Sequence, residues 1–115
     1  MDNLLSLVLE AHHPKRNHHR RYEIVLGKDL LDDWTVKIRF GRSGQYGRLQ
    51  QFASANQDEI RAVIQDRLSR RLSAPRRIGC RYHIAAFTAA EGVDSSGWIP
   101  SGVLSAFTRI PHTVN

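Results

Sequence analysis

The sequence predicts an α+β fold, in which a small antiparallel β-sheet carries one helix across a face and a C-terminal appendage follows. From Trp34 to Phe40 apolar and polar residues alternate over seven positions, which is typical of a half-buried strand. From Ile60 to Leu72 apolar side chains then recur at helical intervals. The link before Trp34, residues 27–33, is too short for the helical crossover that parallel strands require.

Two further strands are expected before Trp34. Leu4 to Glu10 is apolar and suited to a first strand, and Ala11 to Arg20 concentrates charges and turn-forming residues that indicate a loop. The alternation from Tyr22 to Leu26 predicts a second strand, which Gly27 is expected to end. Leu49 to Phe52 should add another, so that the sheet has three or four strands before the helix.

A glycine-rich turn should follow the central strand. Three glycines between Gly41 and Arg48 allow the positive φ angles of a tight reversal. The turn is expected to hold Arg42, Tyr46 and Arg48 close together at its tip. Two guanidinium groups and an aromatic ring suit a phosphate and a nucleotide face.

The helix has recognisable ends. Asn56 and Glu59 have the spacing of a capping box, and residues 73–75 (Ser-Ala-Pro) should end the helix. Its predicted apolar stripe consists of Ile60, Val63, Ile64, Leu68 and Leu72. Beyond it, basic residues alternate with apolar ones toward an edge strand; the basic residues are Arg76, Arg77 and Arg81, and the apolar ones are Ile78, Cys80 and Tyr82.

The charge distribution favours an anionic partner. The chain of 115 residues has a net charge of +6, and residues 10–84 hold sixteen Lys and Arg against eight acids. A basic but otherwise ordinary solvated surface is the alternative. The single cysteine, Cys80, excludes an internal disulfide, favours a cytoplasmic location and is expected to pack in the core. No signal peptide or membrane-spanning stretch is expected.

The segment FGRSGQYGR, with its flanking strands and the helix after it, resembles the signature of the WGR domain, and Phe40 stands where that family has tryptophan. The resemblance covers roughly Leu5 to Ile84. We therefore predict a WGR-like domain over residues 4–84 and a low-charge extension over 85–115. In WGR domains attached to poly(ADP-ribose) polymerases, the resemblance implies, the signature aromatic packs against the terminal nucleotide at a DNA break and the motif arginine communicates with neighbouring domains. Phe40 and Arg42 inherit these positions.

Enzymatic chemistry finds little support. The sequence contains no P-loop, no nucleophile elbow and no paired carboxylates in a glycine context, so that a non-catalytic protein without a cofactor is expected. The histidines at positions 12, 13, 18 and 19 are adjacent pairs in a predicted loop. Such pairs lack the fixed geometry of a metal site, and a solvated loop without metal is expected.

The function expected from these patterns is nucleic-acid binding, with DNA ends or breaks as the target. The expected site consists of Phe40, Arg42, Tyr46, Arg48, Arg76, Arg77 and Arg81. The alternative function is a protein-interaction module that docks an acidic partner. Two residue roles also stay open: Phe40 is either a core or a stacking residue, and Arg42 either contacts ligand or pairs with Asp32 or Asp33. Trp34 is assigned to the core.

Overall fold

The computed structural model describes residues 2–13, 18–75 and 80–108, and it confirms the α+β fold. A five-stranded antiparallel sheet has the strand order β4-β3-β2-β1-β5, and a helix packs on it. The elements are β1 (Asp2–His13), β2 (His18–Lys28), β3 (Trp34–Arg42), β4 (Arg48–Ser54), α1 (Gln57–Leu72), β5 (Tyr82–Ala89), α2 (Ser95–Trp98) and α3 (Ser101–Thr108). In these described ranges, no helix combines the length and apolar composition needed to span a bilayer.

The first two strands are longer than the sequence predicts. His12 pairs with His19 and His13 with His18, so the prediction of a loop from residue 11 to residue 20 is wrong at both of its ends; residues 14–17 lie outside the described part. Gly27 does not end β2, because it pairs with Thr35 in the adjacent strand. Ladder hydrogen bonds need only the backbone, so polar residues and a glycine can extend a strand wherever a neighbouring strand pairs with them.

The core lies between the sheet and α1. Leu7, Ile24 and Ile38 are opposite one another in adjacent strands, and each is fully buried. The helix contributes Ile60, Ile64 and Leu68 to the same core. The assignment of Leu72 to the buried apolar stripe is wrong, because this residue is 38% exposed at the last turn of the helix.

The start of α1 follows the predicted cap with one difference. The Asn56 side chain accepts a hydrogen bond from the Asp58 backbone N–H at 2.9 Å. The Glu59 carboxylate accepts a hydrogen bond from the Ser54 hydroxyl, and that hydroxyl accepts one from the Asn56 N–H. Ser54 therefore mediates the reciprocal bond that a capping box makes directly.

The described part of the C-terminal extension packs on the sheet and α1. β5 continues from Tyr82 to Ala89, across the predicted boundary after residue 84, and pairs with β1. Trp98, Ile99 and Phe107 are buried in the common core. The Trp98 ring lies 5.0 Å from that of Trp34, between ring centroids. Trp34 is thus partly buried against the core, in agreement with its assigned role.

Candidate nucleic-acid interface

Basic side chains collect at one end of the sheet because of the strand register. Tyr82, Ala11, Arg20 and Arg42 form one row across four strands, and Arg81 immediately precedes that row. The last turn of α1 is at the same end, since Arg71 lies over the ring of Tyr22. The arginines at this end, hereafter the basic end, are Arg20, Arg21, Arg39, Arg42, Arg48, Arg67, Arg70, Arg71 and Arg81.

The opposite end of the sheet is acidic. The β2–β3 connection carries Asp29, Asp32 and Asp33, and the first turn of α1 carries Asp58 and Glu59. Acidic residues do occur near the basic end: Glu10 pairs with Arg21, Glu23 pairs with Arg39, and Asp66 accompanies the arginines of α1. The separation of charge nevertheless gives the molecule an electrostatic direction, and it would orient an approaching polyanion toward the basic end.

The glycine turn between β3 and β4 has the predicted positive φ angles, and its backbone leaves no space for side chains at two positions. Gly47 has a φ of 75°, and a Cβ atom there would lie 2.5 Å from the Phe40 carbonyl oxygen. A Cβ atom on Gly41 would lie 2.9 Å from the Gly47 Cα. The turn is also tied to the neighbouring hairpin, since the Ser43 N–H donates to the His19 carbonyl at 2.8 Å. Its position at the basic end is therefore fixed.

A small cleft of about 140 Å³ lies beside this turn and is hereafter the turn cleft. It is lined by Arg21, Glu23, Arg39, Phe40, Gly41, Arg42, Gly44, Gln45 and Tyr46. The Tyr46 ring is 72% exposed, and the Arg39 guanidinium carbon lies 4.2 Å from its centroid. The cleft thus combines guanidinium groups with an accessible aromatic ring.

Sequence reasoning missed Arg39 and Arg21. Both lie on the polar face of their strands, where the alternation of apolar and polar residues predicts only that a side chain is exposed to solvent. The signal that could have found Arg39 is its position one residue before Phe40, on the face opposite the apolar side chains.

Phe40 lies between two clefts. It is partly buried, packs against the core and has its ring centroid 5.9 Å from that of Tyr22. It lines the turn cleft, and it also lines a second cleft on the helix side of the sheet. Successive side chains of a strand point to opposite faces, so the Phe40 ring lies with Tyr22 on the helix side, opposite the face of Arg39.

The structure places the three residues predicted to lie together, Arg42, Tyr46 and Arg48, at or beside the glycine turn. Arg42 and Tyr46 line the turn cleft, but Arg48 does not. Arg48 pairs with Phe40 across β3 and β4, so its exposed side chain leaves the strand on the Phe40 side. Arg48 thus begins β4 beside the turn, opposite the residue two positions before Arg42.

The alternative ion pair of Arg42 with Asp32 or Asp33 is wrong. These acids precede β3, whereas Arg42 ends it. A strand of nine residues places them about 25 Å apart. Asp32 instead pairs with Lys28, with 3.2 Å between Nζ and Oδ1.

The second cleft, hereafter the arginine cleft, has a volume of about 200 Å³ and lies between the sheet and the last turns of α1. It is lined by Tyr22, Phe40, Gln50, Arg67, Arg70 and Arg71. None of these except Phe40 was assigned to a site from the sequence. The arginines were interpreted there only as cations suited to the C-terminal end of a helix dipole.

Arg81 lies in a third and larger groove of about 300 Å³, where Arg71, Tyr82 and Phe107 are also lining residues. It is exposed and immediately precedes β5. Arg76 and Arg77, the other two basic residues predicted for the site, lie outside the described residues.

The cysteine and two of the histidines have defined surroundings. Cys80 is partly buried and packs against the core. The His12 and His19 rings face each other across the first hairpin, with 2.9 Å between their Nδ1 atoms. This is a cross-strand pair in a regular ladder, not a loop as the sequence suggested.

Comparisons of the chain with protein-family models, with curated proteins and with solved structures find no match. The description of the fold and of the basic end therefore depends only on this chain's own sequence and structure. The resemblance to WGR domains stays a prediction.

Proposed function

We propose that this protein is a non-catalytic nucleic-acid-binding module of WGR-like type whose targets are DNA ends or breaks. The observation that supports the proposal is the gathering of arginines at one end of the sheet, together with the exposed Tyr46 ring and the partly buried Phe40. Phosphates attract arginines without sequence preference, and exposed bases stack on aromatic rings. A DNA end offers both groups together, since its terminal base pair has an uncovered face.

In the proposed complex, Arg42, Arg48 and Arg81 neutralise phosphates, together with Arg76 and Arg77 outside the described residues. Phe40 and Tyr46 provide surfaces for an exposed base or sugar. Arg39 holds the Tyr46 ring by the contact described above, which prepares the ring for stacking. A cytoplasmic location fits a chain with one partly buried thiol.

The proposal is tested by binding to blunt-ended, nicked, single-stranded and closed circular DNA over a salt series. Arg42→Gln should weaken binding to all four and reduce the salt dependence by about one phosphate contact. Lys28→Gln is the matched control, because it removes the same charge at the acidic end, one full strand away. Equal losses in the two variants would refute the location of the site.

A protein partner with an acidic surface is the second candidate. It is favoured by the groove of about 300 Å³ in which Arg71 and Arg81 border the aromatic residues Tyr82 and Phe107. Charged rims around apolar centres are common in protein interfaces. Retention of one acidic protein after nuclease treatment, with no affinity for any of the four DNA forms, would favour this function instead.

A further inference from the structure

The arginine cleft contains a buried hydroxyl group that has no hydrogen-bond partner in the described part of the chain. Tyr22 is 1% exposed, and its hydroxyl lacks a partner among the described residues. The Nε atom of Arg71 is likewise buried and without a partner in that part of the chain. Buried polar groups are normally hydrogen-bonded, so two unmet groups lining the same cleft indicate that an acceptor belongs there.

Both of these groups, the Tyr22 hydroxyl and the Arg71 Nε–H, can donate a hydrogen bond. The Arg71 Nε–H can only donate, and its guanidinium carbon lies 4.3 Å from the centroid of the Tyr22 ring. Burial raises the pKa of Tyr22 above its usual value, although the charges of Arg71, Arg67 and Arg70 act in the opposite direction. The hydroxyl therefore carries its proton at neutral pH and can donate it to an anion.

The cleft also has an excess of positive charge. Three arginines line it, and no described acidic side chain does. Asp66 is outside the cleft and half exposed; its Oδ2 accepts a hydrogen bond from Arg67 Nη1 at 2.7 Å and lies 3.3 Å from Arg70 Nε. One carboxylate against three guanidinium groups leaves about two positive charges, which matches a dianion.

We propose that the arginine cleft binds a phosphate dianion, with the Tyr22 hydroxyl and the Arg71 Nε–H as buried donors and Arg67 and Arg70 as neutralising charges. The Gln50 side chain, which also lines the cleft, supplies a further amide donor. This site goes beyond nucleic-acid binding, since it requires no polymer and shares only Phe40 with the residues assigned to DNA.

The phosphate can come from two sources. One is free inorganic phosphate, and the other is the monoester of a nucleoside. Phe40 borders the cleft with an aromatic ring, so a nucleoside monophosphate whose phosphate occupies the site can place its base against that ring. The two sources make the same contacts to phosphate and differ in their dependence on Phe40.

The test is a titration of the full chain with inorganic phosphate and, separately, with adenosine monophosphate, followed by calorimetry and by backbone NMR shifts. The pH should be about 8, where both ligands are mainly dianionic, and sodium chloride should hold the ionic strength constant. We expect saturable binding with one site, and shifts concentrated at Tyr22, Gln50 and the last turns of α1. Absence of saturation, or shifts spread over all basic surfaces, would overturn the proposal.

Tyr22→Phe separates ligand binding from folding. It removes only the unpartnered hydroxyl, so the melting temperature should stay unchanged or rise while phosphate affinity falls about tenfold, as for a lost hydrogen bond to a charged group. Arg71→Lys keeps the charge but loses the Nε–H and should weaken binding similarly. Arg20→Gln is the control, because it removes a basic-end charge that does not line the cleft.

Unchanged phosphate affinity in Tyr22→Phe and Arg71→Lys together would overturn the proposal. If Tyr22→Phe is destabilised, the location of the wild-type NMR shifts decides instead. Tighter binding of adenosine monophosphate than of phosphate, lost in Phe40→Ala, identifies a nucleoside monophosphate as the ligand; equal affinities identify free phosphate.

Discussion

Phe40→Ala separates the two roles of the signature aromatic. Truncation of a fully buried phenylalanine to alanine lowers the unfolding free energy by about 3–5 kcal/mol. Phe40 is only partly buried, with one neighbouring ring at 5.9 Å, so we expect a loss of about 2 kcal/mol in unfolding free energy. For a chain of 115 residues, this corresponds to a fall of about 8 °C in melting temperature.

The effect on DNA should be selective for ends. A base that stacks on Phe40 contributes ~1–3 kcal/mol, so its loss should weaken binding to blunt-ended duplex by roughly 5- to 140-fold. Closed circular duplex should lose much less, because it presents no uncovered base. The assay is fluorescence anisotropy with both DNA forms at one salt concentration, at a temperature where the variant is fully folded.

Phe87→Ala provides the matched control. Phe87 is also a partly buried strand phenylalanine packed against the core, but it lies in β5, opposite Leu7, away from the glycine turn. It should lower stability comparably and leave the preference for DNA ends intact. A loss of 3–5 kcal/mol in Phe40→Ala without any selective loss for ends would refute the stacking role and make Phe40 a core residue.

Three further predictions follow from the structure. Gly47→Ala should lower the unfolding free energy by more than 1 kcal/mol, because the added Cβ would lie 2.5 Å from the Phe40 carbonyl oxygen and the φ of this residue is positive. Urea denaturation measures the change, and an unchanged midpoint would contradict the turn geometry. Because the pKa of Tyr22 is raised by burial, its contribution to stability should be complete below about pH 10 and lost as the pH rises through the folded-state value. Urea midpoints measured upward from about pH 9 should show this loss, and Tyr22→Phe should abolish it; an identical decline in the variant would assign the loss to other groups. Deletion of residues 85–115 should unfold the chain, as judged by loss of a cooperative melting transition, since it removes most of β5 and the buried Trp98, Ile99 and Phe107; a folded truncated protein would show that the core ends at residue 84.

Local patterns predicted the central elements well. The alternation from Trp34 to Phe40 identified β3, and Asn56 marked the start of α1 at the residue where the structure has its cap. The three glycines after Phe40 predicted a turn with positive φ, and Gly41, Gly44 and Gly47 all have it. These features depend on residues that are close together in the chain, so a short segment of sequence is enough to predict each of them.

The features that could not be predicted from the sequence depend on contacts between residues far apart in the chain. β1 and β2 exceed their apolar segments because each pairs along its length with a neighbour. Trp98 belongs to the core because it packs on Trp34, which precedes it by more than sixty residues, and because the Arg61 Nε–H donates to the Gly97 carbonyl at 2.7 Å. Periodicity in a short, charge-poor segment carries no sign of such partners.

The arginine cleft shows the same limit at the level of a site. Tyr22 comes from β2 and Arg71 from the last turn of α1, and no motif joins them. Tyr22 appeared only as one apolar position in an alternating strand. Its unmet hydroxyl becomes visible only when the helix is placed over the sheet.

The most direct test of nucleic-acid binding compares one duplex sequence with blunt ends and the same sequence closed by hairpins at both ends, from about 50 to 200 mM salt. We predict tighter binding to the blunt duplex at every salt concentration. Its affinity should fall with a logarithmic slope of about −3 or steeper, since Arg42, Arg48 and Arg81 each neutralise a phosphate. Equal affinity for the two duplexes, or an affinity that does not change with salt, would contradict the assignment of the basic end to DNA ends.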